Sequence, residues 1–158
     1  MCEPMTAMMA LTAASTVMKM KADTDQASYN AQVARNNAVI AGYAADDAQR
    51  RGDLEANRVQ RQTSQMVGSQ RAGFAAKGLD ISDGTPGDII DQTNFFGKID
   101  SDTARYNGRL EAYGKRVQAQ NFNSSAGAAE YNGKMAATGD LLSGASSVAG
   151  NWYQYTKK

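Results

Sequence analysis

The side chains that most often do chemistry are scarce in this chain. It has no histidine, and its single cysteine is Cys2. That excludes Ser-His-Asp and Cys-His catalysis, any His-containing metal site, an internal disulfide and a Cys-ligated zinc. Carboxylates remain. Asp46-Asp47 and the loop acids Asp80, Asp83 and Asp88 would have to form the acid–base pair of a glycosidase. Nothing in their spacing supports one, and acids are expected at turns and helix starts. The EF-hand spacing for calcium is also absent. Cys2 has no neighbour that would activate a thiolate. The glycines between 73 and 87 are not followed by the Gly-Lys-Ser/Thr of a phosphate loop. The sequence predicts no enzyme activity, no catalytic residue, no metal and no cofactor.

The 158 residues carry 17 Lys+Arg against 16 Asp+Glu. A length of this order suggests one domain. Near-neutrality argues against a protein whose main task is coating nucleic acid, though not against a local basic face. The apolar fraction is mostly alanine: there are 27 alanines, whereas Leu, Ile, Val and Phe together number 22. Such a chain has high helix propensity and little side chain to bury. Long, closely packed helices are expected, with missing burial supplied by other subunits.

Two long helices are legible. Residues 24–72 hold small residues in a 4-3 rhythm: Ala27, Ala31, Ala34, Ala38, Ala41, Ala45 and Ala48. The seam continues as Gly52, Ala56, Val59, Thr63 and Met66, with a stutter at 48-52-56. At about 1.5 Å per residue such a helix is a rod near 70 Å, too long for a compact globule of this mass. Asp46–Arg50 and Asp47–Arg51 place acids four residues before bases, as on a solvated helix face. Residues 73–87 are the one clear break. Gly78 is placed to end a helix, Leu79 and Ile81 to pin the loop, and Thr85-Pro86-Gly87-Asp88 to start a helix with Thr85 as its cap. Residues 88–123 form the second helix. Its bulky stripe of Ile89, Gln92, Phe96, Ile99, Thr103, Tyr106, Leu110, Tyr113 and Val117 is expected to fill the shallow alanine seam. The pair is read as an antiparallel hairpin.

The two ends differ from these rods. Residues 1–23 include an uncharged run, Met5 to Met18, with Met8, Met9 and Leu11. It is too short to span a bilayer. With Glu3 and no base before it, it is also a poor secretory signal. Residues 124–158 are rich in Ala, Gly and Ser. They contain Met135, Leu141 and Leu142 and end in Trp152, Tyr153, Tyr155 and two lysines. Aromatics followed by lysines resemble an interfacial membrane anchor. An aromatic plug against a partner subunit is the other reading, and Asp140 interrupts the apolar run, which argues against a clean spanning helix. The fold expected is all-α: a long antiparallel helical hairpin with extra apolar terminal helices, assembling into a ring or tube.

Basic residues gather in two stretches. Arg50, Arg51, Arg58, Arg61, Arg71 and Lys77 lie within 50–77, and Arg105, Arg109, Lys115 and Arg116 within 105–116. An antiparallel hairpin would bring these stretches together. A moderately basic wall contacts phosphate weakly and without sequence preference. That suits double-stranded DNA sliding past. Solvated helix charge is the plainer reading.

Several segments together resemble a phage family. They are Met1-Cys2 before a small apolar stretch, Gln32-Val33-Ala34-Arg35-Asn36-Asn37, and Asp47-Ala48-Gln49-Arg50-Arg51-Gly52. Arg71 to Gly78 and on through Gly84 to Pro86 is the strongest, followed by Tyr113-Gly114 and Arg116-Val117-Gln118-Ala119. This pattern, over most of residues 1–120, is similar to the small internal virion proteins, or ejection proteins, of T-seven-like short-tailed phages and related prophages. The resemblance implies a structural protein packed inside the capsid at the portal vertex. It implies partners among its own copies, the portal and other internal virion proteins, and later a conduit at the host outer membrane. It carries over no catalytic residue. A head–tail adaptor or tail-tube protein kept in the virion, and a bacterial helical membrane-surface or translocator protein, are the alternatives.

Overall fold

The computed structural model describes the backbone of residues 4–82 and 84–156 and the side chains of residues 10–82 and 84–153. Two helices, α1 (Pro4–Ala76) and α2 (Gly84–Thr156), pack antiparallel as a hairpin. The chain's two prolines, Pro4 and Pro86, both lie in first turns, where a missing N–H costs nothing. The apolar ends expected as extra helices are instead the continuous ends of α1 and α2. The reason is local. A boundary needs a cluster of Gly, Pro and capping residues, and only the turn has one.

The turn is built by glycine. Leu79 N–H donates to Phe74 O at 3.1 Å and Gly78 N–H to Ala75 O at 3.0 Å, the paired bonds of a Schellman motif. Gly78 takes the left-handed conformation, φ 70°, that this motif needs. Asp80 Oδ1 then accepts from Ser82 N–H at 2.9 Å and Ser82 Oγ–H at 2.6 Å. Those bonds, the hydroxyl's first, hold the Asp80 carboxyl below its ordinary value. α2 begins at Gly84 (φ 71°), so Thr85 lies in its first turn rather than capping it.

The helices divide into two compact units, Ile40–Gln118, and Met1–Val39 with Ala119–Lys158. In the first, the contact is backbone against backbone. A methyl on Gly52 would sit 2.8 Å from Gly108 Cα, and one on Gly108 would sit 2.7 Å from Gly52 Cα. Ala48 and Ala56 flank Gly52, and Ala104 and Ala112 flank Gly108, each four residues away. Small residues at that spacing let helix backbones meet. Gly97 leaves room for Thr63 in the same way. Buried positions recur every eleven residues on both helices: Ala45, Ala56 and Val67 on α1, and Ile90, Ser101 and Ala112 on α2. An 11-residue repeat means about 3.67 residues per turn, close to a straight helix. The stutter at 48-52-56 belongs to this repeat. Ser101 is fully buried, and its Oγ has no hydrogen-bond partner among the described residues. Gln70 Nε2 reaches Thr93 Oγ1 at 2.9 Å near the turn.

In the second unit, Ala31 and Ala38 on α1 and Ala126 on α2 are buried. Gly133 admits Ala27, and Gly144 admits Thr16, whose Cγ2 lies 2.6 Å from where a methyl would be. Ion pairs join the helices here at Lys19–Asp140 (2.6 Å) and Arg35–Glu130 (2.5 Å), and in the first unit at Arg51–Glu111 (2.7 Å). The exposed pairs Arg35–Glu130 and Arg51–Glu111 contribute little stability, whereas the Asp140 side chain of the Lys19 pair is only 14% exposed.

One expectation about packing is corrected. The alanine seam does face α2, but Phe96, Ile99, Tyr106, Leu110, Tyr113 and Val117 do not fill it; all six are exposed, as is Ile89. The seam of α2 is small as well. Two backbones in contact leave no room for a bulky layer, so the large side chains are turned outward.

Candidate assembly surfaces

Three sets of residues remain available for partners. The first is the outward face of α2 in the unit Ile40–Gln118. Phe95 and Phe96 stack edge to face at its start, with ring centroids 5.7 Å apart. Ile99, Tyr106, Leu110, Tyr113 and Val117 continue it. The hairpin's inner seam consumes Gly97, Ser101, Gly108 and Ala112, which lie off the bulky stripe. The usable signal was their 4-3-4-4 spacing with Ala104, on the side of α2 away from the bulky stripe.

The second set is the arginines. Most are neutralised inside the hairpin unit that holds them. Arg51 bridges Asp47 and Glu111, Arg58 pairs with Glu55 at 2.6 Å, and Arg105 lies 3.5 Å from Asp102. Arg116 donates to Gln49 Oε1 at 3.1 Å and lies 4.0 Å from Asp46. The Asp47–Arg51 helical pair forms, whereas Asp46 faces Arg116 instead of Arg50. The bond to Arg58 holds the Glu55 carboxyl below its ordinary value. Arg50, Arg61 and Arg109 make no ion pair among the described residues. Arg50 and Arg61 are eleven apart, on one outward line of α1. A groove of about 440 Å³ beside the Gly52–Gly108 contact is rimmed by Arg51, Glu55, Asp100 and Glu111. With more acid than base it repels phosphate. The basic wall read from the sequence therefore reduces to a sparse arginine line.

The third set lies in the unit formed by the two chain ends. An open apolar groove of about 530 Å³ runs between Ala13, Thr16 and Val17 on α1 and Leu141, Gly144, Val148 and Trp152 on α2. Leu11, Leu141, Leu142, Trp152 and Tyr153 are exposed there. The side chains of Met5, Met8, Met9 and Tyr155 fall outside the described residues, as does Cys2. Asp140 lies close by. The Lys19 ammonium, hydrogen-bonded to it, holds its carboxyl below the ordinary range against the opposing effect of burial. The same bond raises the Lys19 value. No described helix is long and apolar enough to cross a membrane. Among the described residues, no group of three or more acids and cysteines could hold a metal ion.

Compared with protein families, curated proteins and solved structures, the chain matches no family model, no curated protein and no solved structure.

Proposed function

We propose that this chain is a structural, non-enzymatic internal virion protein of a short-tailed phage. It is packed at the portal vertex and released with the genome to help build a conduit across the host envelope. The observation that carries the reading is the division of side chains: the hairpin spends its small residues on itself and leaves its large apolar residues for partners. A scaffold of that kind gains its burial by assembly. The motif pattern of residues 71–86 supplies the phage setting. In a ring or tube, hairpins meet through the outer face of α2 and the apolar groove at the chain ends. The Arg50–Arg61 line is the surface suited to weak, sequence-independent contact with passing double-stranded DNA.

The test is quantitative mass spectrometry of purified particles before and after triggered genome release. Loss of the chain together with the DNA is the expected result. Retention in the emptied particle would instead make it a fixed head–tail or tail-tube component. Absence from both particles would overturn the virion reading and leave a bacterial membrane-surface role.

A further inference from the structure

In the unit Ile40–Gln118, α2 has two opposed faces. Small residues meet α1, and on the eleven-residue repeat the opposite side takes Phe95, Ile99, Tyr106, Leu110, Tyr113 and Val117, between 38% and 66% exposed. The order of this stripe is nearly the same read in either direction from Tyr106. Ile99 and Tyr113 lie seven residues to either side, and Phe95 and Val117 lie eleven; Leu110 is the exception, since its counterpart four residues the other way is Asp102. A second copy running antiparallel, with Tyr106 on the two-fold axis, sets Phe95 against Val117 and Ile99 against Tyr113.

The flanks fit the same arrangement. Asp102 and Arg109 lie along one side of the stripe, and in a two-fold antiparallel pair like flanks meet. Asp102 of each chain then faces Arg109 of the other. Arg109 makes no ion pair within its own hairpin among the described residues, and Asp102 has only the 3.5 Å contact with Arg105. The other flank carries Phe96, exposed, and Gly114, with nothing within 4 Å of an added methyl. Glycine weakens a helix interior, and Gly114, like Gly42, Gly68 and Gly127, meets nothing within the hairpin. In the pair, Phe96 of one chain comes opposite Gly114 of the other, a large side chain over a gap. The outer line of α1 offers no such match, since Arg50 and Arg61 flank its Leu54. The chain also exposes 11419 Å², where a compact monomer of this mass exposes about 7,600 Å².

We infer that two copies of this chain pair antiparallel through the outer face of α2, with Tyr106 on the two-fold axis and Asp102–Arg109 ion pairs on either side of it. The pairing does not rest on the virion reading and would hold for the isolated protein.

The experiment uses the full chain in a Cys2→Ser background. Tyr106→Cys is expected to cross-link to itself on mild oxidation, and Arg50→Cys, on the outer line of α1, is not. In sedimentation equilibrium, Asp102→Arg or Arg109→Asp alone is expected to weaken the dimer about tenfold, because each sets like charges opposite one another twice. The double exchange restores it. Circular dichroism checks that each variant keeps its helix content. A monomer at tens of micromolar, equal cross-linking at both cysteines, or a double exchange no tighter than the singles would overturn the pairing. If Ile99→Glu abolished binding to anionic phospholipid vesicles without changing the oligomeric state, the face would belong to lipid and the pairing would be wrong.

Discussion

Gly52 and Gly108 are the residues on which the packing of their unit turns. A methyl on either meets backbone, which cannot rotate away, so the helices must separate. Gly52→Ala or Gly108→Ala is expected to destabilise the protein by about 1–3 kcal/mol, the range for overpacking. Gly114→Ala, which meets nothing within its own hairpin, should leave the monomer unharmed. Urea unfolding followed by circular dichroism separates these cases; equal stability of Gly52→Ala and the parent would refute the backbone contact. Asp140 sets a pH dependence. Its carboxyl is depressed in the fold, chiefly by the bond to Lys19, so its contribution is present above the ordinary carboxylate value. The contribution is lost as pH falls through the lowered one. Lys19 is raised, so its contribution is full below the ordinary lysine value and lost as pH rises through the raised one. Melting temperature is expected to fall on the acid side, and Asp140→Asn to flatten that limb. An unchanged acid limb in the variant would show that other groups cause it.

At the scale of the element, the turn and the seams behave differently. The turn was legible because its determinants are local: Gly78, Leu79 and Phe74 are near neighbours in sequence, and a Schellman motif needs little else. Gly78→Ala forces a side chain into φ 70° and should cost about 1 kcal/mol, measured by the same urea titration; a neutral effect would contradict the left-handed cap. The alanine seam of α1 was also legible, from spacing alone. The seam of α2 was not. Both faces of α2 repeat at helical spacing, and the bulky one draws the eye because burial usually follows side-chain size. Here contact distance decided instead: Gly52 against Gly108 brings the helices so close that only Gly and Ala fit around that contact, and the larger buried residues, Val67 and Ile90, lie nearer the turn.

For the whole molecule, the small buried core leaves large apolar side chains exposed. If copies pair through α2, folding is linked to association and the melting temperature rises with protein concentration. Differential scanning calorimetry over a hundredfold range of concentration is expected to show that rise in the parent and not in Ile99→Glu. A concentration-independent melt in the parent would mean the hairpin stands alone.

Much of the architecture followed from the amino-acid order itself. High helix propensity, two prolines placed in first turns, one Gly-rich break and a small-residue seam are near-neighbour properties, and they dictate two antiparallel helices and where they turn. The absence of histidine and the single cysteine exclude Ser-His-Asp and Cys-His sites by composition alone. The tertiary structure decided what depends on distance between helices. It showed which face of α2 is inside and that most of the arginines are answered by acids such as Asp47, Glu55, Asp102 and Glu111. It also joined the apolar ends to the two rods. Periodicity gives the faces of a helix but not which of two apolar faces its partner covers. That choice was made by the closest approach the glycines allow, a property of two chain segments separated by more than fifty residues.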